Sequence, residues 1–530
     1  MPESVHGVNP TSGEVGRGSA ERVGRSTPAS IDPRSPCIIG VGQRAWRPGG
    51  DPAPEPLTMW EAVTRHAAAE VGPSPVLEDI DAVHLVHCMS WAYDDPARRL
   101  AERLRLRDGF REVSVLAGTA GQRMVNSAAE RMLEGRSALA LVVGGEALAT
   151  RRRLLASGAS PPWSHPSPDQ GSPPIDLDQW VSPTEWVHDV VKPTVTFAAL
   201  DAARRKMVGS SPDQHLALEG ALLERFTEVA QANPHAWFPI RRSAKQIMTV
   251  TPENRLISSP YTKYMVAIMD VDMAAGLIMA THEKADELGV PQDQRVYLRG
   301  WSFGRDATHL AERAFLDRSP AMVAAAADAL SQAGIGIDDA AHLDLYSCFA
   351  SSVLFASDAL RIDPLDGRGL TVTGGLPYHG GPSSNYTTHA IATMVQLLRE
   401  ESRAFGVVSG VGMHMTKHVW GVYGTEPGRL RPPSYADVQR DIDRHGSYHV
   451  VQVLDDAHRG TIGAFTVSHE RDGTPGSALI IADLGNGERA YARVLQPDLL
   501  SHLSVGEHVG RAVTLRPGPG GLNEVVELSD

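Results

Sequence analysis

Nucleophiles and acid–base groups are sparse in this chain, and their surroundings decide what chemistry they could do. The three cysteines, Cys37, Cys88 and Cys348, are widely scattered, so their spacing supports neither a disulfide framework nor a metal cage. No metal centre is expected. Cys88 ends an apolar segment before Trp91 and the Asp94-Asp95-Pro96 turn, and it reads as a buried structural cysteine. His379 sits in Tyr378-His379-Gly380-Gly381-Pro382. It could act as a general base. The plainer expectation is a loop histidine bonded to backbone, with Gly380 and Gly381 present because the turn needs positive φ. Tyr346, Ser347 and Cys348 put a phenol, a hydroxyl and a thiol into one short loop. Thr119 follows Gly118 at a helix start, with no evident base to activate its hydroxyl. His414, Lys417 and His418 have the chemistry to meet a phosphate or a carboxylate, although a solvated loop is the expectation there. Asp270 and Asp272 read as caps or braces.

These groups need a scaffold, and 530 residues at 42% hydrophobic content can bury a large core, about three or four domains' worth. No apolar run reaches the length of a membrane span, and the start of the chain lacks a secretory pattern, so a cytoplasmic protein is expected. A formal charge of −13 argues against a broad nucleic-acid footprint while leaving room for a local basic pocket.

Residues 1–34 carry Gly, Ser, Pro, Arg and Glu without apolar period and read as a mobile leader. From Cys37-Ile38-Ile39-Gly40-Val41 onward, short apolar runs alternate with helical patterns: a strand near 80–89, a helix near 121–134, a strand at 139–145. This block, 35–150, is α/β. Residues 151–250 bring Pro161-Pro162, Pro173-Pro174 and a helical stretch from Leu216 to Val229, as an inserted loop domain would. A second α/β block spans 251–426, and the first block is allowed to take its last strands from 251–282. The two blocks echo one another. Each contains a Gly-rich turn, a helix and a buried strand: Gly118-Thr119-Ala120-Gly121 leading to Leu141–Gly145, and Gly380-Gly381-Pro382 leading to Gly406–Gly410. Residues 430–530 then change to short alternating strands with turns at Asp472-Gly473, Gly485-Asn486-Gly487 and Pro517–Gly521, the pattern of a small OB-like barrel. From 431 on, nine Lys and Arg face fourteen Asp and Glu, so nucleic-acid binding is not expected of this barrel.

Gly118–Ala147, with its Gly-rich turn, helix and Leu-Val-Val-Gly-Gly-Glu-Ala, resembles the nucleophile region of thiolases, especially the sterol-carrier-protein thiolase branch. Asn233-Pro234-His235-Ala236, Ser259-Pro260-Tyr261-Thr262, Asp270–Ala275, Leu345–Phe349, Gly374–Pro382 and Val408–Met413 are similar to further signatures of that superfamily, in order, over residues 36–424. The resemblance implies a duplicated α/β thiolase fold, two halves in five layers, with the loop domain inserted and the all-β barrel added, as in thiolase-like proteins with an extra C-terminal domain. It also implies acetyl-CoA acetyltransferase chemistry, for which four positions are needed. The helix N-terminus that carries the nucleophilic cysteine reads Gly118. The Gly-His-Pro histidine position reads Gly381. The Asn or His that orients a water corresponds to Tyr346 and Ser347, with Cys348 a packing residue. The acid/base cysteine position reads Val408, beside Ser409. On the resemblance, classical thiolase activity is not expected. What it leaves is a protein of lipid or acyl-CoA metabolism with CoA, acyl-CoA or a lipid as ligand, held in a tunnel lined around Gly118, Gly375 and Gly381. Two alternatives stay open. One is an acyltransferase or thioester hydrolase rearranged around His379, Tyr346, Ser347 or Cys348. The other is a non-catalytic accessory subunit that meets a protein partner through the barrel. Monomer and family-type dimer are both open.

Overall fold

The computed structural model describes residues 31–72, 76–169, 180–428 and 431–529. The expected leader at 1–34 lies almost wholly outside them. From Asp32 onward the chain forms one compact unit, and among the described residues no helix is long and apolar enough to cross a membrane.

The core is a mixed sheet of nine strands: β1 (Pro36–Ala45), β2 (Ala82–Leu85), β3 (Phe110–Val113), β4 (Leu139–Ala147), β5 (Asp272–Thr281), β6 (Val296–Arg305), β7 (Ala340–Asp344), β8 (Phe405–Gly412) and β9 (Lys417–Gly424). They run in the order β3-β2-β4-β5-β1-β6-β9-β8-β7. The first five and last four are two half-sheets, which pair among the described residues only where Cys37 and Ile38 of β1 meet Tyr297 and Val296 of β6. β4 and β5 are buried at every residue, which explains why they read as unbroken apolar runs rather than alternating ones. The strand expected near 80–89 is shorter, because the chain leaves the sheet after Leu85.

Seven helices matter for the site: α1 (Pro56–Val71), α2 (Ala120–Leu133), α3 (Pro193–Met207), α4 (Pro212–Ala232), α5 (Pro320–Ala333), α6 (Ala350–Leu360) and α7 (Tyr386–Glu400). α1 packs on β1 and α5 on β6, one outside each half, while α2 and α7 meet between the halves. The duplication repeats down to contact chemistry. Gly40 on β1 lies against the Ala67 carbonyl of α1, and Gly300 on β6 lies against the Ala329 carbonyl of α5, so a β-carbon at either position would strike helix backbone.

At the C-terminus, β10 (His458–His469), β11 (Pro475–Gly485), β12 (Glu488–Val494), β13 (Ala512–Pro517) and β14 (Asn523–Leu528) close a five-stranded barrel. The ring runs β10-β11-β12-β14-β13 and back to β10. Closure removes the unpaired edges that short strands otherwise expose. Buried polar bonds seat the barrel: the Tyr491 hydroxyl donates to Glu185 at 2.8 Å, and the Asn523 amide donates to His188 Nε2 at 2.9 Å.

Candidate functional site

The Gly-rich turns and the loops after the half-sheet strands converge between α2 and α7. The Ala117 amide donates to Ser384 Oγ at 3.0 Å and the Gln122 amide donates to Thr387 Oγ1 at 3.0 Å, which locks the start of α2 to the start of α7. Thr119 is buried at the N-terminus of α2 and makes no side-chain cap. Around Gly118 the space is taken. A β-carbon there would strike the Tyr346 hydroxyl and the Val411 carbonyl, so Gly118 is required by its neighbours. Tyr346 is held in that place by three contacts. Its amide donates to Ser409 Oγ at 2.9 Å, its carbonyl accepts from the Ser352 hydroxyl at 2.7 Å, and its ring meets Tyr386 edge-on at 5.5 Å. Burial pushes the phenol pKa well up, so the hydroxyl stays protonated.

Ser347 and Cys348 turn away to other work. Ser347 Oγ accepts the Leu376 amide at 3.2 Å and sits 2.6 Å from where a Gly375 β-carbon would be. Burial raises the Cys348 thiol to about 12, which removes it as a thiolate nucleophile at neutral pH. His379 is fully buried, its Nδ1 hydrogen-bonded to the Gly380 carbonyl at 3.2 Å, with the rings of Tyr386 and His389 at 5.9 and 5.2 Å. Desolvation lowers its pKa to about 4 and leaves a neutral imidazole whose Nε2 has no partner among the described residues. Gly380 has the expected positive φ, +102°, but Gly381 does not. The Gly381 amide donates to the Ile268 carbonyl at 2.8 Å, and a β-carbon there would lie 3.1 Å from Leu376. Val408 is buried on β8, paired with Asp344 and Gly421. The β8 residues that touch the Gly118 turn are instead Gly410, Val411 and Gly412.

The sequence matches no protein-family model and no curated protein. The structure, however, is similar to that of a monomeric SCP2-thiolase-like protein type 1 from Mycobacterium smegmatis, with a TM-score of 0.80 and 30% identity over 94% of this chain and 100% of that one. The chain belongs to the SCP2-thiolase-like proteins of the thiolase superfamily. An acetyl-CoA acetyltransferase from Syntrophomonas wolfei shares the fold at 15% identity, TM-score 0.53, over 75% of this chain and 100% of that one. So does an Ltp2-ChsH2(DUF35) aldolase at 16% identity, TM-score 0.57, over 74% and 98%.

In this SCP2-thiolase-like chain three expectations need correction. His414, Lys417 and His418 are not a solvated loop. All three are buried where β9 starts: His414 bonds Thr196 at 3.0 Å, His418 bonds Ser319 at 3.1 Å and Asp306 at 3.2 Å, and the Lys417 ammonium lies 3.2 Å from the centre of the Trp180 ring. Desolvation brings the lysine down to about 8. Cys88 is only half-buried and lines a cavity of about 820 Å³ with Trp91, Tyr93 and Leu155, its sulfur 3.7 Å from Glu146. The requirement for positive φ at Gly381 is absent. Asp272, by contrast, is the brace expected of it, accepting from the Thr150 amide and hydroxyl at 2.9 and 2.7 Å, and Asp270 pairs with Arg152.

Sequence reasoning missed two groups. Asp344, one residue before the Leu345-Tyr346 loop, accepts from Thr371, the Val372 amide and the Tyr386 hydroxyl, each at 3.0 Å, and burial raises it to about 6. It anchors the ring that holds Tyr346. The second is Asp201, His215 and Glu219 on α3 and α4, where the His-Glu spacing of four was the only local sign.

Proposed function

We propose that this chain is a thiolase-like protein of lipid and acyl-CoA metabolism, acting in the cytoplasm, that binds CoA, an acyl-CoA or a lipid and does not turn over as a thiolase. The observation that carries this reading is the pairing of Gly118 with Tyr346. A thiolase holds a cysteine at the head of this helix, where the backbone amides favour a thiolate, and here the phenol fills the room that such a side chain requires. Ligand binding is drawn from the family. A rearranged hydrolase or acyltransferase is the weaker reading. It needs His379 as a base near neutral pH, and desolvation holds that imidazole at about 4.

Thermal unfolding with CoA and a series of acyl-CoAs tests the proposal, because a ligand selective for the native state raises Tm by mass action. The expected result is a rise that depends on acyl length, with no thioester cleavage by wild type or His379→Ala. No rise at millimolar ligand removes the binding site. Turnover that His379→Ala abolishes replaces the proposal with the catalytic reading.

A further inference from the structure

Between β4 and β5 the chain buries a second cluster of chemistry-bearing side chains, none of them in the thiolase-type loops. Asp201 lies on α3, His215 and Glu219 on α4, and all three are sealed from solvent. Four residues apart, His215 and Glu219 share one face of α4, and Asp201 reaches them from the neighbouring helix. His215 Nε2 stands 2.8 Å from Asp201 Oδ1 and 3.8 Å from Glu219 Oε1. One ligand atom from each residue lies within 4.8 Å of the other two. These distances bracket the separation of about 3.3 Å between neighbouring donors on a tetrahedral ion whose bonds are about 2.0–2.1 Å.

The second observation is what these atoms lack. Among the described residues, both Glu219 carboxylate oxygens and Asp201 Oδ2 have no hydrogen-bond partner. A buried carboxylate in that state is costly unless something neutralises it. The adjoining guanidiniums bond other carboxylates, and each keeps one nitrogen, Arg204 Nη1 and Arg205 Nη2, with no partner among the described residues. Arg204 makes two bonds to Asp358, at 2.6 and 2.8 Å, and Arg205 bonds Glu507 at 3.0 Å. The Asp201–Glu219 pair therefore has no hydrogen bond from either guanidinium among the described residues.

We propose that Asp201, His215 and Glu219 bind one divalent transition-metal ion that ties α3 to α4. One imidazole with two carboxylates suits a zinc-class ion, whereas calcium and magnesium prefer all-oxygen shells. The competing account is that Glu219 carries a proton and shares it with Asp201.

The test measures metal in the full chain purified without a metal-affinity step, then strips it and adds Zn²⁺ or Mg²⁺ back. The expected result is about one equivalent of bound metal per chain, a fall in Tm on chelation, and recovery with Zn²⁺ but not Mg²⁺. Glu219→Gln preserves shape and hydrogen-bonding capacity, and it should lose the metal and the Zn²⁺ response. Wild-type protein that holds no metal and shows no Zn²⁺-dependent change in Tm overturns the proposal. So does retention of the metal by both Glu219→Gln and His215→Ala. In either case an unchanged Tm of Glu219→Gln would assign the pair to proton sharing.

Discussion

The Gly118 turn and the α3–α4 cluster are both buried and both rich in polar side chains, yet they meet the cost of burial in opposite ways. At the Gly118 turn the groups that hold Tyr346 are bonded, Ser409 to its amide, Ser352 to its carbonyl and Asp344 to Tyr386, and the atoms left over nearby, on His379, Asn385 and Thr388, belong to side chains other than carboxylates. Around Asp201 and Glu219 the charges are concentrated and their oxygens are left over. A buried polar group without a partner is the more informative sign of a missing ligand. Family position directs attention to the first region, while physical chemistry directs it to the second.

The comparison breaks most visibly at Tyr346. If the phenol is the packing that closes the Gly118 turn, Tyr346→Ala leaves a cavity and costs about 3–5 kcal/mol in chemical denaturation. A cost below about 1 kcal/mol would mean that the turn is not closed by packing.

Next in size is an acid response at His379. Its native pKa of about 4 is depressed below the ordinary histidine value, so the unfolded chain binds a proton that the native chain refuses. Stability is therefore full above about pH 6.5 and falls as pH drops toward 4, by roughly 3 kcal/mol from this residue. His379→Gln should flatten that part of a stability-versus-pH curve, and an unchanged slope would show that the imidazole is not held neutral by the fold.

Gly118→Cys restores the family nucleophile into occupied space and should cost about 1–3 kcal/mol through overpacking. Combining it with Tyr346→Ala relieves the collision, so the double-mutant cycle should depart from additivity by about 0.5 kcal/mol or more. Additive effects would separate the two residues. The smallest effect is at Cys348: with its thiol at about 12, native alkylation at pH 8 should run far slower than alkylation of the unfolded chain, leaving stability untouched.

Much of the fold was legible because its signals are local. The run Leu139–Gly145 is apolar throughout since both faces of β4 are covered, and Pro320–Ala333 carries a helical period ended by Gly334 in the left-handed conformation. The barrel turn at Gly485-Asn486-Gly487 has positive φ at all three residues, the conformation those residue types favour. The candidate site was legible only as a set of motifs. His414, Lys417 and His418 read as polar and therefore exposed. The structure buries them through partners far off in the chain, Thr196, Trp180 and Asp306, and no local pattern announces such pairs. Val408 aligns with a family motif, but it is the later residues of that strand, Gly410 to Gly412, that lie against the Gly118 turn.

By itself the sequence determined that this is a duplicated α/β chain with an added barrel, because apolar period, turn chemistry and the order of motifs survive without coordinates. Only the tertiary structure decided that Tyr346 occupies the room over Gly118 and that Asp201 joins His215 and Glu219. Each of these pairings rests on contact between segments remote in sequence. Residue type says what such a group can do, and only packing says what it meets.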